Sequence, residues 1–343
     1  MIDHSARVLL IEDNPGDARF VREMLAEENR NAFSLECVER LDTGLSRLTR
    51  GNIDAVLLDL ALPDSRGIET FARTRRQSPD VPIVVLSGLD DETLASQALE
   101  QGAQDYLVKG QVSGAALGRA IRQAIGRRKA DQVHSRHALV MALANLVSCR
   151  NSETGAHLMR LQYYSRCLAQ EAADSAAFGG MINARFVEMM EFCAPLHDIG
   201  MIGIPDYLHF KTGKLTSSER ILMQAHTTIG ADSLHDLAGQ DDESPAFLQM
   251  AIDIARHHHE HYDGSGYPDG LAGSAIPLAA RVVAVGDVYD ALRSRRVYKP
   301  ALSHAAAVHR VINSFSGHLD PALLQVFQKC HHTFERIFRE LAD

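Results

Sequence analysis

The first part of the chain alternates between short apolar runs and longer amphipathic stretches. The apolar runs are rich in Val, Ile and Leu and occupy residues 8–11, 33–38, 55–58, 83–86 and 106–108. Runs of this length and composition are typical of parallel strands that are buried on both faces. Stretches with helical periodicity lie between them, as at residues 18–27 and 92–101. Five such repeats predict a doubly wound, flavodoxin-like α/β domain.

A long helix is predicted next, from about residue 113 to residue 146. Leu117, Ile121 and Ile125 recur at four-residue steps, no Pro interrupts the stretch, and a basic patch follows at 127–129. Such a helix would connect two domains and pair with its copy in a homodimer. The alternative is a solvated linker with a frayed centre.

After residue 138 the strand pattern disappears. Helical segments are predicted at residues 139–149, 154–173, 185–196, 217–226, 245–257, 279–292, 304–315 and 321–341. We therefore expect three parts: an α/β domain at 1–126, a helical connector at 127–138 and an all-α domain at 139–343.

Composition narrows the class of protein. The 343 residues carry a formal net charge of −9, which argues against general binding to nucleic acid, and a hydrophobic content of 45% excludes a largely disordered chain. The five cysteines include no CxxC pair, as expected in a reducing compartment. No apolar run approaches the ~18 residues that span a membrane, and the N-terminus lacks the basic stretch of a signal peptide. We expect a cytoplasmic protein with no membrane partner.

Histidine is unevenly distributed along the chain. There are 17 histidines, and only His4 precedes residue 130. The two predicted domains therefore use different chemistry.

The predicted strands of the first domain end on polar side chains. Glu12 and Asp13 follow the first strand, Asp59 follows the third, Ser87 the fourth and Lys109 the fifth. The C-terminal ends of parallel strands form a common crevice. Three carboxylates there predict a Mg²⁺ site, and the hydroxyl and ammonium suit a phosphoryl group carried on Asp59.

The segments LLIEDNPGD, VLLDLALPDSRG, VVLSG and DYLVKG together resemble response-regulator receiver domains over residues 1–126. The resemblance implies that Asp59 accepts a phosphoryl group from a cognate histidine kinase and that Glu12 and Asp13 help to hold Mg²⁺. It also implies switch roles for Ser87, Tyr106 and Lys109, with Tyr106 as the aromatic residue whose rotamer changes on phosphorylation. Gly110 departs from the proline that many receivers have after the lysine. The alternative is a receiver fold that has lost phosphorylation.

The second domain contains an ordered set of imidazoles and carboxylates. Glu153 and His157 stand four apart, so that a helix places both on one side. His197 and Asp198 follow in LHDIG, and further candidates are His226, the run HHHEHYDGSGYP and Asp287. Neutral imidazoles and carboxylates without thiolates suit Fe, Mn, Zn or Co. More than four such ligands imply more than one ion, which the Asp198 carboxylate would bridge.

This set resembles the HD-GYP family of metal phosphohydrolases from about residue 139 to 321, on ETGAH, HDIG, AHTTIG, HHEHYDGSGYP and DVYDAL. The resemblance implies hydrolysis of cyclic di-GMP to linear pGpG and/or GMP by two or three transition-metal ions, with Fe favoured and Mn as the alternative. It implies these metal ligands: Glu153, His157, His197, Asp198, His226, His258, His259 and Asp287.

Resemblance also implies that Arg296 and Lys299, in RRVYK, contact the substrate phosphate and act with Asp198 in catalysis. Arg can donate to two phosphate oxygens, whereas Lys acts as a point charge. The alternative is a solvated basic patch. The signature loop comprises Asp263, Gly264, Gly266, Tyr267 and Pro268. This loop would shape the site, contact a partner such as a diguanylate cyclase, or be purely structural.

Met201 stands where the family usually has a lysine after HDIG, and Val297 where members often have proline. A missing cation near the phosphate would weaken charge stabilisation in the transition state. Three hypotheses follow: a phosphorylation-regulated cyclic di-GMP phosphodiesterase, a low-turnover metal-containing binding module, and a phosphodiesterase for pGpG or another cyclic dinucleotide.

Overall fold

A computed structural model describes residues 5–29, 32–88, 92–149, 155–238, 245–295, 300–315 and 317–342. Contacts divide the chain into two units, Met1–Ser135 and Arg136–Asp343. Among the described residues, no helix is both long and apolar enough to cross a membrane.

The N-terminal unit is built on a parallel five-stranded sheet. Its strands are β1 Ala6–Ile11, β2 Phe33–Val38, β3 Ala55–Leu58, β6 Ile83–Ser87 and β7 Asp105–Val108, in the order β2-β1-β3-β6-β7. A short hairpin of two two-residue strands, β4 Ala61–Leu62 and β5 Ser65–Arg66, follows the central strand β3. Strands β3 and β6 are buried at every position, which explains their uninterrupted apolar sequence.

The helices of this unit pack on the sheet. They are α1 Pro15–Asn29, α2 Leu41–Leu48, α3 Ile68–Gln77, α4 Glu92–Glu100 and the start of α5 Gly114–Ser148. Leu117, Ile121 and Ile125 of α5 are buried in one apolar cluster with residues of β1 and α1, as their four-residue spacing predicts. The doubly wound prediction is confirmed.

The C-terminal unit is helical. Its helices are α6 Gly155–Ala173, α7 Ala184–Cys193, α8 Asp206–His209, α9 Ser217–Gln224, α10 His226–Ala238, α11 Pro245–His257, α12 Leu278–Arg293, α13 His304–Ser314 and α14 Pro321–Glu340. Several begin at side-chain caps: Thr216 and Glu219 form a capping box at α9, and the Asp320 carboxylate accepts from the Ala322 amide at α14.

Aromatic rings hold the centre of this unit together. Tyr164 of α6 stacks on Phe334 of α14 at 4.5 Å between centroids, and Tyr289 of α12 meets Tyr164 edge-on at 5.4 Å. All three side chains are fully buried. This packing fixes α6, α12 and α14 relative to one another, and α6 and α12 carry candidate metal ligands.

The predicted helices agree with the observed ones in most places, and three differences stand out. The segments expected at 113–146 and 139–149 form one continuous helix, α5. The predicted helix 217–226 stops at Gln224, and the separate helix α10, which begins at His226, was not predicted. Helix α8 and the β4–β5 hairpin were not predicted, because elements of two to four residues leave no periodic signal.

Candidate functional site

Four of the predicted ligands converge in the C-terminal unit. Ligand atoms of Asp198, His226, His258 and His259 lie within 4.8 Å of one another. Asp198 precedes a 3₁₀ segment at Ile199–Gly203, His226 opens α10, and His258 and His259 directly follow α11. Three separate stretches of chain therefore meet at this point.

A second group lies beside the first. His157 of α6, His197 and Asp287 of α12 also place ligand atoms within 4.8 Å of one another. The imidazoles of His157 and His197 meet edge-on at 5.6 Å between centroids, and both side chains are buried.

Asp198 lies between the two groups. Its Oδ1 is 3.1 Å from Nε2 of His226 and 3.5 Å from Nε2 of His258, whereas its Oδ2 is 3.7 Å from Nε2 of His197. Each oxygen of one carboxylate thus faces a different group. This is the geometry that a carboxylate needs in order to bridge two cations.

The orientation of three imidazoles is fixed from behind. The Nδ1 of His197 lies 3.1 Å from the Ala194 carbonyl oxygen. The Nδ1 of His226 lies 2.8 Å from the Met223 carbonyl oxygen, and the Nδ1 of His258 lies 3.0 Å from the Ile254 carbonyl oxygen. Because a carbonyl oxygen only accepts, Nδ1 carries the proton and donates it. The lone pair of each Nε2 therefore points into the cluster, as a metal ligand requires.

Electrostatics favour the charge states that bind metal. Burial, with the charge of His258, lowers the pKa of His259 well below its usual value, and burial also lowers the pKa of His258. Burial alone would raise the pKa of Asp198, but His197 and His226 hold it well below the usual range. Neutral imidazoles at His258 and His259 beside an ionised Asp198 fit a transition-metal centre.

The second group has a buried anionic partner, Asp290, that was not predicted from the sequence. Asp290 Oδ2 is 2.8 Å from His157 Nδ1, and the same carboxylate accepts two hydrogen bonds from Arg160, at 2.7 and 2.9 Å. Arg160 and Asp290 are each 1% exposed. Asp290 lies one turn after Asp287 in DVYDAL, and this three-residue spacing was the available signal.

Two glycines allow the segments that carry Asp198 and His226 to approach each other. A Cβ built on Gly200 would lie 2.0 Å from the His226 carbonyl oxygen and 2.4 Å from the Gly230 amide. Both contacts are with backbone, which cannot move aside cheaply. Gly200 is the glycine of HDIG, so this motif contributes close packing as well as candidate ligands.

The signature loop is organised by the Glu260 carboxylate. Its Oε1 accepts from the Asp269 amide at 2.7 Å and its Oε2 from the Leu271 amide at 3.1 Å, and the residue is buried. A Cβ at Gly266 would lie 2.2 Å from the backbone nitrogen of His261, so only glycine fits there. These contacts fold the loop back onto the end of α11.

The other loop residues face the first group or the solvent. The Tyr267 ring stacks on His259 at 4.9 Å between centroids, and a cis peptide bond joins Tyr267 to Pro268. Asp263 is exposed and its Oδ1 accepts from both the amide and the hydroxyl of Ser265. Gly264 has a φ of 81°, which favours glycine.

Three predicted site residues, Glu153, Arg296 and Lys299, lie outside the described residues, as does Val297. Met201 is described, and it is buried in an apolar cluster with Val147, Ile204 and Leu208. Its side chain therefore contributes to packing next to HDIG.

In the N-terminal unit, Glu12, Asp13 and Asp59 bring ligand oxygens within 4.8 Å of one another. Lys109 Nζ lies among carboxylates, at 2.5 Å from Glu12, 2.7 Å from Asp59 and 2.9 Å from Asp17. Asp17 was not predicted from the sequence, because it lies in the first turn of α1 and not at the end of a strand.

Burial, reinforced by the charge of Asp59, raises the pKa of Glu12 despite the hydrogen bond from Lys109. Burial alone would lower the pKa of Lys109, but its hydrogen bonds to Asp59, Glu12 and Asp17 raise it. The pocket therefore combines a concentrated negative charge with one ammonium group that neutralises part of it. Three carboxylates of this kind fit Mg²⁺.

The remaining predicted switch residues flank this pocket. Ser87 is the buried last residue of β6, and its carbonyl accepts from the Lys109 amide at 2.8 Å. Tyr106 is half-buried on β7 opposite Val85. Gly110 has a φ of 79°, a conformation closed to proline, which explains its departure from the usual sequence.

Comparison with known proteins agrees with this division. A family model for the HD domain matches residues 142–323, and one for the response regulator receiver domain matches residues 8–122. A probable cyclic di-GMP phosphodiesterase of Vibrio cholerae is 32% identical over 357 residues, covering 98% of this chain and 80% of its own. The cyclic di-GMP phosphodiesterase response regulator RpfG of Xanthomonas campestris is also 32% identical, covering 98% of this chain and 90% of its own.

A third relative shares the C-terminal part only. The 3'3'-cGAMP-specific phosphodiesterase 2 of Vibrio cholerae is 35% identical over 207 residues, which is 60% of this chain and 37% of that protein. The two longer alignments and both family models cover the same two-part architecture. The chain therefore belongs to the response regulators in which a receiver domain precedes an HD domain.

Proposed function

We propose that this chain is a phosphorylation-regulated cyclic di-GMP phosphodiesterase that produces linear pGpG and/or GMP. The observation that carries the proposal is the Asp198 carboxylate, with Oδ1 facing two imidazoles of one ligand group and Oδ2 facing His197 of the other. Two relatives that align with 98% of this chain are named as cyclic di-GMP phosphodiesterases, one of them as a probable one.

The residues suit a centre of two or three transition-metal ions, Fe or Mn. The described ligands form groups of four and three, and Glu153 would add a further carboxylate. Bound divalent ions supply an activated water molecule and neutralise phosphate charge. The protein's own contribution is spacing: Asp198 joins the groups, and the carbonyl-anchored imidazoles keep their lone pairs directed inward.

Arg296 and Lys299 are proposed to bind the non-bridging phosphate oxygens. Both follow α12, the helix that carries Asp287, by a few residues. A guanidinium and an ammonium group would offset the negative charge that develops at phosphorus during in-line attack.

In the receiver domain, Asp59 is proposed to attack the phosphoryl group of a kinase phosphohistidine, so that an acyl phosphate forms as the P–N bond breaks. Mg²⁺ on Glu12, Asp13 and Asp59 would neutralise the transferred group. Lys109, already 2.7 Å from Asp59, would then pair with the phosphoryl oxygens, and Ser87 and Tyr106 would respond to them.

Hydrolysis is tested with anaerobically purified, metal-loaded protein incubated with cyclic di-GMP and analysed by chromatography. We expect linear pGpG or GMP from the wild type and none from Asp198→Asn, which keeps the side-chain shape but removes the bridging charge. Full metal occupancy without either product would contradict the proposal.

A second candidate is a phosphodiesterase for pGpG or another cyclic dinucleotide, which the 3'3'-cGAMP-specific relative favours. Parallel assays with cyclic di-GMP, 3'3'-cGAMP and pGpG distinguish these substrates by their kcat/KM. The substrate with the highest value identifies the activity.

A third candidate is a low-turnover binding module, for which Met201 is the reason. In that case metal-loaded protein retains cyclic di-GMP without releasing product. If the missing cation limits turnover, Met201→Lys raises the rate. An unchanged rate in a folded variant would show that the residue at position 201 does not limit turnover.

Receiver function is tested with a radiolabelled small-molecule phosphodonor. We expect Asp59→Asn to abolish labelling and Asp54→Asn, an exposed aspartate of the same unit, to retain it. Continued labelling of Asp59→Asn would show that another residue is the acceptor.

A homodimer is proposed through α5. Leu139, Leu143 and Leu146 are 66%, 56% and 67% exposed, and they recur at the helical spacing of an apolar stripe. Sedimentation of the wild type and of Leu143→Lys tests this: the wild type should sediment as a dimer and the variant as a monomer.

A further inference from the structure

Three histidines away from the candidate metal centre also converge. Ligand atoms of His304, His331 and His332 lie within 4.8 Å of one another. His304 is the first residue of α13, placed there by the Ser303 cap, and the other two are neighbours on α14. The group shares no residue with the centre around Asp198.

The spacing within the group is that of ligands around one ion. Nε2 of His304 lies 3.0 Å from Nδ1 of His331, and the rings of His331 and His332 are 4.0 Å apart between centroids. Ring nitrogens come this close around a shared proton or around a cation. Two nitrogens bound to one tetrahedral ion at about 2.0–2.1 Å are roughly 3.3 Å apart, so little movement is needed.

The surroundings supply a supporting shell. Tyr289 Oη lies 2.8 Å from Nδ1 of His304, and when Nδ1 donates to this hydroxyl oxygen the Nε2 lone pair faces the cluster. Glu335 Oε2 lies 3.8 Å from the same Nε2 and offers a carboxylate. Arg293 donates to Tyr289 Oη at 3.4 Å, and its positive charge opposes the binding of a cation nearby.

We propose that His304, His331 and His332 form a separate binding site for a late first-row divalent ion such as Zn²⁺. Imidazole ligands favour Zn²⁺, Cu²⁺ or Ni²⁺ over Mg²⁺. Three protein nitrogens leave at least one position for water or for Glu335. The site would tie α13 to α14, and Tyr289 links it to α12 at a point between Asp287 and Asp290.

The test counts zinc retained by the full chain after equilibration with Zn²⁺ and gel filtration. In a His197→Ala/His258→Ala background, which disables the Asp198 centre, we expect one equivalent that disappears when His331→Ala/His332→Ala is added. His309→Ala, an exposed histidine elsewhere on α13, is the matched control and should retain it. The same loss of one equivalent is expected when His331→Ala/His332→Ala is made in the otherwise native chain.

Equal zinc content with and without His331 and His332 would overturn the proposal, and so would an equal loss in the His309→Ala control. A milder variant guards against misfolding. His332 is exposed, so His332→Ala should leave the fold intact and weaken zinc binding at least about tenfold in competition with a chromophoric chelator. Unchanged affinity would also overturn the proposal. Neither readout depends on substrate turnover.

Discussion

Replacement of Asp290 by Asn tests whether the buried carboxylate behind His157 supports the proposed metal centre. The native carboxylate accepts two hydrogen bonds from Arg160 and lies 2.8 Å from His157 Nδ1. Asp290→Asn keeps the side-chain volume and removes the charge. Arg160 is 1% exposed, so its guanidinium would remain buried without a counter-charge.

The expected cost follows from that burial. Removal of one partner of a buried ion pair typically destabilises a protein by about 3–5 kcal/mol. Arg160 keeps hydrogen bonds to the Leu341 carbonyl and the Ser294 hydroxyl, and Asn still offers one acceptor. We therefore expect about 3 kcal/mol. Loss of the charged partner of His157, a proposed metal ligand, should also weaken metal affinity about 10–100-fold.

Stability is measured by denaturant unfolding in excess chelator, so that metal binding does not contribute. Near-UV circular dichroism reports mainly the C-terminal unit, because only Tyr106 of the eight tyrosines precedes residue 136 and the chain has no tryptophan. Asp232→Asn, at an exposed position of α10, is the matched control. An unfolding free energy within about 0.5 kcal/mol of the wild type, with unchanged metal affinity, would show that the Asp290 charge supports neither the fold nor metal binding.

Four further predictions follow from the same geometry. Gly200→Ala should weaken metal binding and lower the free energy of unfolding by about 1–3 kcal/mol, because its Cβ would lie 2.0 Å from backbone. Metal titration and denaturant unfolding measure these two effects. The control Gly213→Ala, whose Cβ would have no contact closer than 4.0 Å, should change neither. Gly266→Ala should reduce kcat/KM in the hydrolysis assay by displacing the loop that places Tyr267 on His259, and unaltered kinetics would show that the loop tolerates a side chain. The pKa of Asp290 is lowered to about 2 from 3.8, because His157 and Arg160 outweigh the opposing effect of burial. The ionised carboxylate therefore stabilises the fold fully above pH 3.8 and less as pH falls towards 2. Over that window, the unfolding free energy measured in chelator should fall by about 2 kcal/mol more in the wild type than in Asp290→Asn. Lys109→Ala should raise the Mg²⁺ affinity of the receiver domain in calorimetric titration, because an ammonium at 2.5–2.9 Å from three carboxylates competes with the cation, and lower affinity would contradict this.

The sequence predicted the strands well because buried parallel strands are short, continuous apolar runs. Residues 33–38 and 55–58 were predicted with the bounds that the structure shows, and β6 differs only by including Ser87. Helix α10 His226–Ala238 was not predicted, because its first turns contain the weak helix formers Thr227, Thr228 and Gly230.

The candidate ligands were recognisable from motif order, but their supports were not. Asp290 and Glu260 act on residues far away in the sequence or on backbone amides, so their roles depend on packing that no local pattern records. Met201 is a similar case: its identity suggested a missing cation, and only the fold shows that its side chain fills an apolar cluster.

We propose that Asp198 joins two metal sites into one hydrolytic centre. Anomalous diffraction from anaerobically metal-loaded crystals tests it most directly. We predict at least two peaks, two of them about 3.5–4 Å apart, one beside His157, His197 and Asp287 and one beside His226, His258 and His259, each in contact with a different oxygen of Asp198. A single peak, or two peaks with Asp198 bound to only one of them, would contradict it.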